Sequence, residues 1–134
     1  SLGLDTRTVN HYLDLLVDLL LVRRLMPWHG NTRKRLVKSP KVYVRDSGLV
    51  HALLGIGDRE ALLAHPVAGA SWESLVIESL IGAAPEGTDA HFFRTSAGAE
   101  IDLLLKLPGH RQPWALEIKR GLAPKLDRGF HLAC

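Results

Sequence analysis

Apolar residues Val9, Tyr12, Leu13, Leu16, Leu19 and Leu20 recur at helical spacing behind Asp5, a suitable N-cap. Arg7, Asn10, His11, Asp14 and Asp18 fall between them as a polar set. Residues 21–25 and 41–45 read as β-strands flanking a loop marked by Pro27, Gly30 and Asn31. Asp46 or Ser47 then caps a short helix reaching Leu54 and stopped by Gly55. A linker with Gly57, Asp58, His65 and Pro66 leads to a longer helix over 67–83, ended by Pro85 and Gly87. The last third reads as strands at 91–94, 100–106 and 114–119, the last two joined by a Pro108-Gly109 turn. The fold class expected is α+β, with a first segment over 1–56 and a second over 57–134.

Composition narrows the options. At 134 residues and 46% hydrophobic, the chain can build a core. Its single cysteine, Cys134, excludes an internal disulfide framework or a multi-cysteine zinc site. No apolar run approaches the ~18 residues of a membrane span, and no secretory signal opens the chain. The expected compartment is the cytoplasm. The seven histidines show no pair at i, i+3 or i, i+4, so they do not suggest a zinc site.

The net charge of +3 hides an uneven layout. Arg23, Arg24, Arg33, Lys34, Arg35, Lys38, Lys41 and Arg45 follow one another with no acid between them, so the rest of the chain is acidic. Such a block suits a polyanion such as DNA, or else is a solvated loop. A polar-faced helix followed by two strands with a basic connection fits the second half of a winged helix-turn-helix. Arg7, Asn10 and His11 would face a DNA groove, and Arg33, Lys34, Arg35, Lys38 and Lys41 the phosphates. Only four residues precede Asp5, so the motif is partial and the chain reads as a fragment of something longer. The competing reading is a packing adaptor against the rest of that protein.

The last strands carry the chemistry. Alternation sets Asp102 opposite Ile101, and Glu117 and Lys119 on a shared face. A hairpin would then gather Asp102, Glu117 and Lys119. Two carboxylates on neighbouring strands can hold one Mg²⁺ or Mn²⁺, and a lysine beside it can orient a water or stabilise a phosphoryl transition state. On the long helix, Glu73 lies in a mostly apolar stripe with Gly69, Ala70, Val76, Ile77 and Leu80, where a carboxylate needs a base, a metal or a hydrogen-bond donor. The order Glu73, Asp102, Glu117-x-Lys119 is that of a metal-dependent nuclease core, with Asp102 and Glu117 as metal ligands.

The run Lys38-Ser39-Pro40-Lys41-Val42-Tyr43 with Asp46-Ser47-Gly48-Leu49 resembles the signature of a prokaryotic domain that follows the nucleotide-binding core of many AAA+ superfamily ATPases. His65-Pro66-Val67-Ala68-Gly69, Trp72-Glu73, Phe93-Arg94-Thr95 and Glu100-Ile101-Asp102 are similar to its later blocks. The resemblance implies a partial winged helix joined to a PD-(D/E)XK restriction-endonuclease-like α/β core. It makes Glu73 the helix acid, Asp102 the metal-binding aspartate, and Glu117 and Lys119 the E-x-K pair. That core is expected to run on beyond Cys134. With no G-x-x-x-x-G-K-[ST] loop, the chain has no ATP site of its own. DNA and the AAA+ core of a longer protein are the expected partners, with an oligomer compatible and a membrane not. The alternative is an inactive protein-interaction or regulatory DNA-binding module of the same ATPase.

Overall fold

A computed structural model describes residues 3, 5–29, 37–121, 125 and 130–131. Arg33, Lys34 and Arg35 lie outside the described residues. The elements are α1 (Thr6–Asp18), β1 (Val22–Pro27), β2 (Lys41–Val44), α2 (Ser47–Leu53), α3 (Arg59–Ala64), α4 (Ala68–Ala83), β3 (Asp89–Arg94), β4 (Glu100–Lys106) and β5 (Trp114–Leu116). No described helix is long and apolar enough to cross a membrane.

Local chemistry sets the helix ends. Asp5 caps α1 through the Thr8 N–H at 2.7 Å, and Asp46 caps α2 through the Gly48 N–H at 2.8 Å. Asp58 caps α3 through Ala61 at 2.8 Å, so the stretch read as linker contains a short helix. At the far end of α1, Leu21 N–H reaches the Leu16 carbonyl and Leu20 N–H that of Val17, the paired bonds of a Schellman turn. The turn requires a left-handed residue, and Leu20 supplies it at φ 59°. Gly55 takes the equivalent place after α2 at φ 69° without a Cβ to strain. Leu20→Gly is therefore expected to stabilise the chain by about 1 kcal/mol, read as a higher urea midpoint.

The five strands form one sheet in the order β2-β1-β3-β4-β5. β1 pairs antiparallel with β2 (Leu25 opposite Lys41) and parallel with β3 (Met26 opposite His91). β3–β4 and β4–β5 are antiparallel. The strands before and after α4 thus share one sheet. Ile77 of α4, fully buried, packs with Leu25, Phe92, Leu103 and Leu105, and this is the main core. Phe93, Ile101, Leu104 and Phe130 make a second cluster.

One irregularity in this sheet bears on the site. His91 opposes Leu104, but Phe93 opposes Ile101, so β4 carries one extra residue across from Phe92. Strict alternation would keep Ile101 with Leu103 and Leu105. Instead Ile101 joins the cluster of Leu104, while Leu103 and Leu105 pack with Ile77. Asp102 stays opposite Ile101 and emerges on the α4 side, at the level of the Phe92 ring.

α4 is fastened from two directions. Glu78, with 13% of its side chain exposed, pairs with Arg23 of β1 and, at 2.9 Å, with Arg45 just after β2. Ser74 donates to the Val44 carbonyl at 2.9 Å, and His51 of α2 meets the Ser71 hydroxyl at 2.6 Å. By contrast, Val9, Tyr12, Leu15 and Leu16 of α1 and Leu19 just after it are exposed, so this apolar stripe is not part of the core.

Candidate functional site

Lys41 and Tyr43 alternate along β2 and so share its α4-facing side. The Lys41 ammonium lies over the Phe92 ring, with Nζ 5.5 Å from its centroid. The ammonium ends among three carboxylates: Glu100 Oε1 at 2.8 Å, Glu73 Oε1 at 3.1 Å and Asp102 Oδ1 at 3.8 Å. The Tyr43 hydroxyl donates to the same Glu73 oxygen at 2.7 Å. Arg94 meets the other Glu100 oxygen at 3.0 Å. Together Lys41, Tyr43, Glu73, Arg94, Glu100 and Asp102 line an open pocket of about 380 Å³.

Glu117 and Lys119 follow β5 and do not line this pocket. Leu116 and Ile118 pack toward the α4 core, while Ala115 packs toward the second cluster. The Asp102 carboxylate accepts from the Ile118 N–H at 2.8 Å, which takes a donor that could have lengthened β5. The strand consequently stops at Leu116 rather than at 119. The Glu117 side chain is only 6% exposed, and Lys119 Nζ pairs with its Oε1 at 2.5 Å.

The electrostatics follow from this crowding. Burial raises the Asp102 pKa; the Ile118 N–H opposes the rise, and the charges of Glu117 and Glu73 add to it. Burial would lower the Lys41 pKa, but its bonds to Glu100 and Glu73 outweigh that and hold it above the usual lysine value. Burial and the Glu73 carboxylate raise Tyr43, which stays a neutral donor. A cation is thus favoured in the pocket, and the lysine supplies one. Among the described residues, no three His, Cys, Asp or Glu side chains stand close enough together to hold a metal ion.

Sequence reasoning gathered Glu73, Asp102, Glu117 and Lys119; the structure unites Glu73 and Asp102 in one pocket, whose lining includes neither Glu117 nor Lys119. It missed Glu100, Tyr43 and Arg94, and assigned Lys41 to a DNA-facing surface. The signal was available: Lys41 and Tyr43, two residues apart on a strand, must share a face. Three other bases of the block behave similarly. Arg23 and Arg45 pair with Glu78, and Arg24 pairs with Asp14 at 2.8 Å. Lys38 is exposed, as are Arg7, Asn10 and His11 on α1.

Fold and site together define a mixed α+β domain whose central sheet and covering helix close on a half-buried cluster of carboxylates around a lysine. The chain belongs to the family described as Domain of unknown function (DUF4143), which matches residues 68–134. Residues 1–60 match the Domain of unknown function (DUF8612). The chain is similar to Uncharacterized protein Mb2031c of Mycobacterium bovis and Uncharacterized protein Rv2008c of Mycobacterium tuberculosis, each 45% identical over 133 residues. The match covers 99% of this chain but 30% of each relative, so the chain spans under a third of their length. No solved structure matches the chain.

Proposed function

We propose that this chain is a DNA-interacting, nuclease-like module that works beside an AAA+-type ATPase core in a longer protein. In this reading α1 and the β1–β2 hairpin are the remnant of a winged helix, and α4 with β3–β5 is a PD-(D/E)XK-type core. The observation that carries it is the convergence of Glu73 and Asp102 on one pocket, with Glu117 near enough to repel Asp102 and Lys119 paired to Glu117.

Carboxylates are the ligand type that a hard divalent cation takes. Mg²⁺ needs only one or two of them beside water and phosphate oxygens. The Lys41 ammonium marks where positive charge is already accommodated. Asp102 and Glu117 would hold the ion. When bound, it would acidify a water and neutralise charge on the phosphodiester. Lys119 would orient the attacking water or meet the transition-state charge. Glu73, fixed by Tyr43, would hold a proton-accepting oxygen at the helix side of the pocket. Arg7, Asn10, His11 and Lys38 remain the exposed groups for DNA, with Arg33, Lys34 and Arg35 assigned to it from sequence.

A second reading has its own support. Lys41 already neutralises Glu73, Glu100 and Asp102, as a structural ion network in a non-catalytic interaction module would. Incubating the protein with plasmid and linear DNA in Mg²⁺ or Mn²⁺ separates the two. Cleavage that disappears in Asp102→Asn and Lys119→Ala, with folding kept, supports the nuclease. No cleavage with either metal, and duplex affinity that does not fall as salt rises, supports the interaction module.

A further inference from the structure

α1 is 13 residues long and has no buried residue. An isolated helix of that length is marginal in water, so what it packs against decides whether it persists. Leu13 and Val17 are half-buried, and Asp14 holds Arg24 of β1, so that side of the helix lies against the sheet. Val9, Tyr12, Leu15, Leu16 and Leu19 fall elsewhere, within about 120° of the helix circumference, and each is 38–67% exposed. A soluble chain seldom leaves so continuous an apolar strip to water. Leu20 is a second sign. It holds a left-handed backbone at φ 59° against the crowding of its own Cβ, yet is 68% exposed, so little contact among the described residues offsets the strain.

We infer that the apolar side of α1 is a docking face for an amphipathic helix supplied by the remainder of a longer polypeptide. The spacing i, i+3, i+7, i+10 of Val9, Tyr12, Leu16 and Leu19 makes a ridge that another helix, laid along it, receives in its grooves. Length points to where that helix comes from. The mycobacterial relatives match 99% of this chain, but the match covers 30% of each, so more than two-thirds of each relative lies outside it. A second copy of this chain fits the face less well. A helix of 13 residues is about 20 Å long and about 10 Å wide, so two copies meeting through α1 would bury on the order of 300 Å² each. A stable dimer needs about 1,200 Å² or more in total. A segment joined covalently is held at high effective concentration, and a small contact then suffices. Asn10 and Asp14 lie on the opposite side of the helix from the strip, with Arg7 and His11 near them, so docking leaves these polar groups free. The inference holds whether or not the carboxylate pocket is catalytic.

Photocrosslinking in the intact Mycobacterium tuberculosis relative tests this. Benzoylphenylalanine placed where Tyr12 falls in the match should, on irradiation, join a peptide of the same polypeptide outside the matched part. Mixing isotopically light and heavy copies shows whether both peptides come from one chain. The Leu16 position is the second site should the first variant not fold, and the Asn10 position, on the polar side, should give no such product. Amide exchange across the matched helix should also be at least about tenfold slower in the intact relative than in α1 of this chain alone. Products joining light to heavy copies overturn the inference in favour of a dimer. Products confined to the matched part, no product from either apolar position, or equal exchange rates overturn it as well. None of these outcomes bears on DNA cleavage, so the nuclease reading stands or falls separately.

Discussion

Phe92→Ala is expected to remove about 3–5 kcal/mol of stability, a large part of what a domain of this size has. The ring is 1% exposed and packs with Leu25, Ile77, Leu103 and Leu105, so it touches β1, β4 and α4 at once. Truncation leaves a void between a helix and three strands that are already paired, and their backbones cannot close on it. The Lys41 ammonium would also lose the ring beneath it, a further contribution of about 0.5–1 kcal/mol. Urea denaturation at neutral pH measures the loss. Phe92→Leu, which keeps most of the volume, should cost under about 1.5 kcal/mol. A loss below about 1 kcal/mol in the alanine variant would mean that the ring is not at the centre of the core.

Glu78→Gln should cost about 2–3 kcal/mol at neutral pH, because it leaves Arg23 and Arg45 facing a neutral amide in a largely covered place. The effect depends on pH in a definite direction. Burial alone would raise the Glu78 pKa, but the hydrogen bonds and charges of Arg23 and Arg45 outweigh it and hold the carboxyl below its ordinary value. The unfolded chain therefore takes up this proton before the folded one does. Its stabilisation is complete above the ordinary glutamate range and disappears as pH falls through the depressed native value. The unaltered chain should lose stability across that window faster than Glu78→Gln, as urea midpoints taken from pH 7 down to pH 3 would report. Parallel curves for the two proteins would show that the arginines do not act through this carboxylate.

Much of the fold was legible from the chain, and the exceptions have physical causes. β4 was read to the residue, since apolar and charged side chains alternate cleanly up to a marked turn. α3 was missed because Gly57, Asp58 and Pro66 signal a loop, and only Asp58's use as a cap makes a short helix there. β5 ended early because the Asp102 side chain captured a backbone donor, a contact between elements that no local pattern encodes. The bulge in β4 is equally silent in the alternation and moves Ile101 to the other core cluster. For the site, Glu73 was legible as a carboxylate out of place on an apolar stripe. Glu78 was not, because its burial depends on Arg23 and Arg45 arriving from elsewhere in the chain. A run of bases without acids in sequence says little about which acids those bases meet once folded.

The parallel pairing of β1 with β3 also governs the order in which the sheet can be assembled. β1 and β2 leave the ribosome before β3 and can zip into a hairpin, but the partner for β1's other edge is made only after three further helices. Until then Leu25 lacks Phe92 to cover it, and an unpaired strand edge is open to other chains. Closure across so long an intervening stretch makes the central strand pairing a late and slow event, so a nascent chain is most vulnerable to aggregation before β3 emerges.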